Sequence, residues 1–91
     1  MLLRLNAEGS RKLRQLIRQR FAWPGGHEIF FVTPDGAIIC VECARHYYRA
    51  VARDRRDRRN TGWLIRWADT TENLIEPTDC DQCGKTLSYD D

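Results

Sequence analysis

The chain reads IICVECA at residues 38–44 and CDQCG at residues 80–84, and these two short stretches contain all four of its cysteines. Each stretch holds one Cys-x-x-Cys pair, in which a tight turn brings two sulfurs to a common point. Two such pairs supply the tetrahedral four-sulfur shell that Zn²⁺ prefers. The pattern therefore predicts one structural Zn²⁺ ion. Its predicted ligands are Cys40, Cys43, Cys80 and Cys83.

The length of the chain makes such a metal site useful. A chain of 91 residues is expected to form a single domain, residues 1–91, whose small core gains from a metal ion that ties it together. This length excludes a large enzyme with a deep cleft. No apolar run approaches the roughly 18 residues that a membrane span needs, and the first residues do not resemble a secretory signal. We therefore expect a cytoplasmic protein without membrane contact.

Residues 1–22 are expected to contribute an N-terminal amphipathic helix. Within SRKLRQLIRQRF, residues 10–21, apolar residues recur at helical spacing and most basic residues lie outside that stripe. The WPGG segment at residues 23–26 would end the helix, because proline and glycine do not continue it. The predicted apolar stripe is Leu13, Leu16, Ile17 and Phe21.

Residues 27–43 predict a β-hairpin that runs into the first cysteine pair. Two β-rich runs, Ile29–Val32 and Ala37–Val41, flank the sequence TPDG at residues 33–36. Proline presets φ at the second position of a turn and glycine accepts a positive φ. The segment therefore predicts two strands joined by a tight turn.

A second, basic helix is predicted over residues 44–60, where apolar residues again recur at helical spacing. The run DRRDRR near its end is charged throughout. It matches an exposed helix in which Asp54 pairs with Arg58 and Asp57 pairs with Arg53. The predicted apolar stripe is Ala44, Tyr47, Tyr48, Val51 and Ala52.

Residues 62–91 are expected to hold strands and the second cysteine pair, with one strand over Trp63–Ala68 and a short one over Leu74–Ile75. The expected fold class is therefore α+β, with two amphipathic helices packed on a small antiparallel β-sheet. Aromatic side chains can stack on nucleic-acid bases, but in a protein this small most are expected in the core. The aromatic residues concerned are Tyr47, Tyr48, Trp63 and Trp67.

The two cysteine stretches resemble those of known zinc domains. IICVECA resembles a strand that runs into a zinc knuckle, and CDQCGKTL at residues 80–87 is similar to the second knuckle of a zinc ribbon. The chain thus resembles four-cysteine zinc-ribbon and zinc-knuckle domains, and the full helix after Cys43 is closer to a treble clef. The resemblance implies that the four cysteines bind one structural zinc. The hairpin and the terminal CxxCG are also similar to small phage-encoded zinc proteins, which implies no activity.

The same cysteines allow two alternatives. A strand, a Cys-x-x-Cys pair and a helix in this order are typical of thiol–disulfide exchange, although exchange leaves Cys80 and Cys83 without a role. Structural disulfides are disfavoured by the strain within a Cys-x-x-Cys pair and by the intracellular location expected. His46 lies three residues after Cys43, so it can replace or supplement a sulfur ligand. His27 has no predicted role.

An enzyme is not expected, because catalytic residue types do not occur in the patterns that known reactions need. An HNH-type nuclease needs a second histidine between the cysteine pairs, where the chain has only His46. A zinc deaminase needs His-x-Glu followed by Pro-Cys-x-x-Cys, and neither pair follows a proline. A closed shell of four cysteines leaves no water to activate, so no small-molecule substrate is expected.

Charge is distributed unevenly along the chain. Residues 1–66 carry 14 basic and 6 acidic side chains, whereas residues 67–91 carry one basic and 7 acidic. Because arginine suits contact with phosphate, we expect a zinc module that binds nucleic acid or nucleic-acid machinery through the basic helix. The alternative is an adaptor or inhibitor that binds a partner protein. The candidate binding residues are Arg45, Arg49, Arg53 and Arg56 on the second helix, and Arg11, Arg14 and Arg18 on the first.

Overall fold

The structure is a computed structural model that describes residues 3–4, 10–22 and 26–89. Three helices and seven short strands lie within these ranges. The helices are α1 (Ser10–Gln19), α2 (Val41–His46) and α3 (Tyr48–Asp57), and a 3₁₀ turn spans Thr71–Asn73. The strands are β1 (Leu3–Arg4), β2 (Phe21–Ala22), β3 (His27–Val32), β4 (Ile38–Cys40), β5 (Trp67–Thr70), β6 (Thr78–Asp79) and β7 (Thr86–Leu87).

Strand β3 lies at the centre of the main sheet, and its neighbours all run antiparallel to it. Strand β5 pairs with one edge of β3, while β2 and β4 follow one another along the other edge, and β1 extends the sheet beyond β5. Near the end of β3, Phe31 lies opposite Ile39 and Ala68. Strands β6 and β7 form a separate small sheet. The predicted α+β class with a small antiparallel sheet is confirmed.

The predicted hairpin is confirmed together with its turn. The Thr33 N–H donates to the Ala37 carbonyl and the Gly36 N–H donates to the Thr33 carbonyl, each at 3.0 Å. Gly36 has a φ of +87°, which a side chain would disfavour. The turn sets the register of β3 against β4, and β4 leads directly into the first cysteine pair.

The core contains side chains from the main sheet and from all three helices. Phe31 and Ile39 of the sheet are fully buried. The buried side chains of α1 are Leu13, Leu16 and Ile17, which confirms that part of its predicted stripe. No helix in the described ranges has both the length and the apolar character that a membrane crossing requires.

Helix α1 ends earlier than predicted, at Gln19. Arg20 adopts the left-handed conformation, with a φ of 65°, and its N–H donates to the Leu16 carbonyl at 3.0 Å, as at many helix ends. The backbone then enters β2, because residues 21–22 pair with the start of β3. Phe21 therefore lies in a strand and not in the helical stripe; its side chain, like residues 23–25 of the predicted stop, lies outside the described part.

The second helical segment differs from the prediction at both ends. Its first helix, α2, begins at Val41 rather than residue 44, because the extended backbone of Cys40 forms the N-cap. The helical segment ends at Asp57, because Arg58 adopts a left-handed conformation with a φ of 54°. The first cysteine pair therefore forms the first turn of a helix instead of preceding it.

The segment is also divided at Tyr47, whose φ of −104° and ψ of 33° interrupt the helical geometry between α2 and α3. Ala44 and Val51 are fully buried as predicted, and Tyr48 and Ala52 are half-buried. The Tyr47 side chain is 47% exposed. The expectation that it belongs to the buried stripe is therefore wrong.

The strands predicted after residue 62 are shifted. The strand expected over Trp63–Ala68 is β5, which begins only at Trp67 and pairs with β3. The strand expected over Leu74–Ile75 is absent among the described residues. The Leu74 N–H instead closes the 3₁₀ turn on the Thr71 carbonyl at 3.1 Å, and Ile75 is fully exposed. A strand needs a neighbouring edge for its backbone hydrogen bonds, and no described strand pairs with this segment.

The arginine-rich end of α3 contains two buried charged residues. Asp54 is fully buried and accepts hydrogen bonds from the backbone N–H groups of Thr61 (2.9 Å) and Trp63 (3.1 Å), and from the Thr61 hydroxyl at 2.9 Å. Arg55 is 8% exposed and its Nη1 donates to the Ile65 carbonyl at 3.1 Å. Both residues fasten the chain after α3 to that helix.

The ion pairs predicted for this segment are wrong. Asp54 is occupied by the following loop and forms no ion pair with Arg58 among the described residues. Asp57 pairs with its neighbour Arg56 at 3.0 Å rather than with Arg53, and the hydrogen bond from Arg56 lowers the pKa of Asp57. The DRRDRR segment at residues 54–59 is thus exposed to solvent except at its first two residues, which are buried.

We expect Asp54→Ala to lower the free energy of unfolding by about 3 kcal/mol, because it leaves donors of the 61–63 loop without their charged acceptor. Asp57→Ala is the matched control, since it removes the same side chain from an exposed position of the same helix. Urea denaturation of the metal-loaded protein measures both. Equal midpoints for the two variants would contradict the role of Asp54.

Candidate metal centre and arginine groove

The first cysteine pair is placed by the junction between β4 and α2. Cys40 ends the strand and serves as the N-cap of the helix, and Cys43 follows in its first turn. Cys40 is fully buried and Cys43 is 7% exposed. A rigid strand and a helix start therefore hold the two sulfurs on the same side of the backbone.

The second pair lies in the turn between β6 and β7. The Cys80 N–H donates to the Lys85 carbonyl at 2.8 Å, and the Gly84 N–H donates to the Cys80 carbonyl at 2.9 Å. Gly84 has a φ of +77°, the backbone conformation that a knuckle needs at this position. This turn brings Cys83 back beside Cys80.

The four sulfurs converge on one point. All four lie within 4.8 Å of one another, and Sγ of Cys40 is 3.7 Å from Sγ of Cys83. Sγ of Cys43 is 3.8 Å from Sγ of Cys80. Metal–sulfur bonds of ~2.3 Å in a tetrahedron place neighbouring sulfurs about 3.8 Å apart. The four cysteines therefore fit a tetrahedral metal ion, and the helix supplies the first pair while the knuckle supplies the second.

The surroundings of the sulfurs explain their pKa values. Burial raises the pKa of Cys40 to about 11 and also raises the pKa of Cys43. Burial acts on Cys80 in the same direction, but backbone N–H groups of Cys40, Gln82 and Cys83 outweigh it and lower its pKa to about 7. The Cys40 nitrogen lies 3.3 Å from Sγ of Cys80. The turns thus direct hydrogen-bond donors at a sulfur, as a metal-bound thiolate requires.

Contacts other than the sulfurs also hold the two pairs together. Ile38 and Asp81 bond reciprocally: the Ile38 N–H donates to the Asp81 carboxylate at 2.7 Å, and the Asp81 N–H donates to the Ile38 carbonyl at 2.9 Å. Lys85 of the knuckle donates to the buried Glu28 at 2.6 Å, and it lies 3.8 Å from Glu42 inside the first pair. The hydrogen bond to Glu28 raises the pKa of Lys85.

The sequence did not single out these contacts. Asp81 lies within the second Cys-x-x-Cys pair and Lys85 follows it closely, but neither residue type has a fixed role at those positions. Their partners in β3 and β4 lie more than 40 residues away in the chain. Only the three-dimensional pairing of the two knuckles shows which backbone group and which carboxylate they contact.

The histidines lie apart from the sulfur cluster. His46 is exposed and its ring contacts Tyr47 at 4.6 Å between centroids, while the metal-ligating group found among the described residues contains only the four cysteines. Their convergence gives Cys80 and Cys83 a role that the exchange alternative lacks. None of the four forms a disulfide bond, which leaves the disulfide alternative without support.

Most of the predicted binding arginines come together from three helices. An open depression of about 1200 Å³ lies beside α2 and α3, and α1 contributes to its wall. Arg18 lines an adjoining depression of about 290 Å³ with Arg14 and Arg45, whereas Arg11 is exposed outside both linings. We call the larger depression the arginine groove; its arginines are Arg14, Arg45, Arg49, Arg53 and Arg56.

Comparison with protein-family models, curated proteins and solved structures found no match. The resemblance to zinc-ribbon domains and to phage-encoded zinc proteins therefore stays a prediction. The candidate metal centre depends on the convergence of the four sulfurs alone.

We expect Cys83→Ser to abolish stoichiometric metal binding and to lower the melting temperature by more than about 10 °C, because three sulfurs cannot complete the tetrahedron. His46→Ala is the control for a histidine ligand and is expected to leave metal content unchanged. Elemental analysis of the purified proteins and thermal unfolding provide the two measurements. Full metal loading of Cys83→Ser with an unchanged melting curve would refute the site.

Proposed function

We propose that the protein is a zinc-stabilised, non-enzymatic module that binds nucleic acid in the arginine groove. The observation that carries the proposal is the meeting of Arg14 from α1 with arginines of α2 and α3 in one depression. The sequence alone left open whether the two basic stripes lie on the same side. Their common groove supports a single binding surface.

Zinc is the metal we propose for the four-sulfur site. A tetrahedral set of four thiolates suits Zn²⁺, and the same set of ligands can also bind iron. A four-coordinate zinc has no open position for a reacting water. The closed coordination shell supports a structural role for the zinc ion and fits our proposal that the protein is not an enzyme. Free thiols also suit a reducing compartment, and we therefore propose the cytoplasm as its location.

The charges of the groove favour an anionic partner. Among the described residues, no carboxylate lies within ion-pair distance of Arg14, Arg45, Arg49 or Arg53, whereas Arg56 pairs with Asp57. Guanidinium groups outside ion pairs suit bidentate contact with phosphate. Four arginines without a carboxylate partner in the described ranges therefore make a phosphate backbone the partner that fits best.

The dimensions of the groove suit several phosphates. From Arg49 to Arg56 helix α3 rises about 10 Å at 1.5 Å per residue, and Arg14 and Arg45 extend the groove beyond it. Successive phosphates of one strand in a duplex are about 3.4 Å apart along the axis. Contacts with three to five phosphates are therefore within reach.

We expect Arg49→Glu combined with Arg53→Glu to eliminate nucleic-acid binding without unfolding the protein, because both side chains are exposed. The matched control is Lys12→Glu combined with Arg59→Glu, which makes the same charge change outside the groove lining. Fluorescence anisotropy of labelled DNA and RNA over a salt series measures the affinity. The unmodified protein should give a log–log slope equivalent to roughly three to five phosphates.

If the variant with both Arg49→Glu and Arg53→Glu bound nucleic acid as tightly as the unmodified protein, the arginine groove would not be the binding surface. No binding by the unmodified protein at low salt, where electrostatic attraction is strongest, would refute nucleic-acid binding as a whole. The groove would then fit the adaptor alternative, with an acidic partner protein. Elemental analysis that found iron instead of zinc would contradict the metal assignment without affecting the groove.

A further inference from the structure

Tyr47 contributes an aromatic side chain to the lining of the arginine groove. It is the single residue between α2 and α3, and it lines the groove beside the arginines. Its side chain is 47% exposed, so part of the aromatic ring is accessible to a ligand. Tyr47 is thus a partly exposed aromatic side chain at the junction of two helices, among the residues that line the groove.

The ring is held in place by two aromatic neighbours. Tyr47 packs against Trp63 with ring centroids 4.8 Å apart and planes inclined by 35°. The His46 ring is nearly perpendicular to the Tyr47 ring, with centroids 4.6 Å apart. Trp63 packs against the core, and its backbone N–H donates to the buried carboxylate of Asp54. Tyr47 is therefore supported from the interior and remains partly accessible from the groove.

Two arginines of the groove are close to Tyr47 in the chain. Arg45 and Arg49 lie two residues before and two residues after Tyr47, and both line the same groove. A groove lined by both an aromatic ring and guanidinium groups suits a nucleic-acid strand, in which bases alternate with phosphates. In a duplex the faces of the bases are covered by their neighbours, whereas in a single strand they can stack on a protein ring.

We propose, on the basis of the nucleic-acid binding proposed above, that the groove is selective for a single strand. Tyr47 stacks on one base, and Arg45 and Arg49 contact the phosphates on either side of it. Base stacking tolerates every sequence because each base has a π-face. The ligand class is therefore single-stranded DNA or RNA bound with little sequence preference.

The first test needs no variant of the protein. It compares three labelled DNA probes of about 12 nucleotides: a single strand, the same strand with abasic sites throughout its middle, and the corresponding duplex. All three carry phosphates, but only the first offers free base faces. We expect the zinc-loaded protein to bind the intact single strand about 10-fold more tightly than the other two probes, since stacking is the interaction they lack.

The second test separates stacking from charge. Tyr47→Leu should lower affinity for the intact strand about 10-fold at every salt concentration and abolish the preference over the abasic strand. Tyr47→Phe keeps the ring and should retain that preference. Arg49→Gln should instead reduce the salt slope by about one. Tyr89→Leu is the control, because Tyr89 is exposed but contacts His27 outside the groove lining.

Several outcomes would overturn the inference. Equal binding of intact and abasic strands, with both weakened by the Arg49 and Arg53 double variant, would leave the proposed function standing but exclude stacking. Tighter binding of the duplex would exclude selectivity for a single strand. Binding of none of the probes would overturn both proposals and make an acidic protein the partner to seek. A stacking role would also be contradicted if Tyr47→Leu reduced the slope of log affinity against log salt instead of weakening binding equally at every salt concentration.

Discussion

The convergence of four sulfurs is the constraint on which the rest of the structure depends. It joins residues that lie 40 positions apart and brings the end of β4, the start of α2 and the β6–β7 turn to one point. The apparent binding free energy of a structural zinc is about 10–16 kcal/mol, while a small domain is stable by only about 5–15 kcal/mol. A metal ion at this position would therefore contribute as much as the whole net stability of the fold.

The sulfurs alone do not orient the two pairs. The reciprocal bonds between Ile38 and Asp81 align the second knuckle with β4, and Lys85 links it to the buried Glu28 of β3. These contacts fix the angle at which the second pair approaches the first. Helix α2 has only six residues, too few to be stable in isolation. Its position, and with it the wall of the arginine groove, is set by the strand before it and the sulfurs within it.

Features that depend on local chemistry were predictable from the sequence. The cysteine spacing, the TPDG turn and the buried stripe of α1 each follow from residues close together in the chain. The prediction failed for Tyr47, because nothing in the helical period signals a break one turn after a metal ligand. It also failed for Asp54 and Arg55, since a run of alternating charges looks the same whether its members face water or fasten a distant loop. Those roles depend on partners supplied by residues 61–65.

Both α1 and α3 are followed by an arginine in the left-handed conformation, Arg20 and Arg58. Glycine adopts this conformation freely, whereas another residue type costs about 1 kcal/mol or more. A cation at these positions is favoured by the partial negative charge of the helix C-terminus. The chain thus combines backbone strain with positive charge twice, at the ends of two of the helices that line the arginine groove. Replacing either arginine by glycine would remove the conformational cost of the left-handed backbone at the helix end. It would also reduce the positive electrostatic field that a polyanion meets on approach.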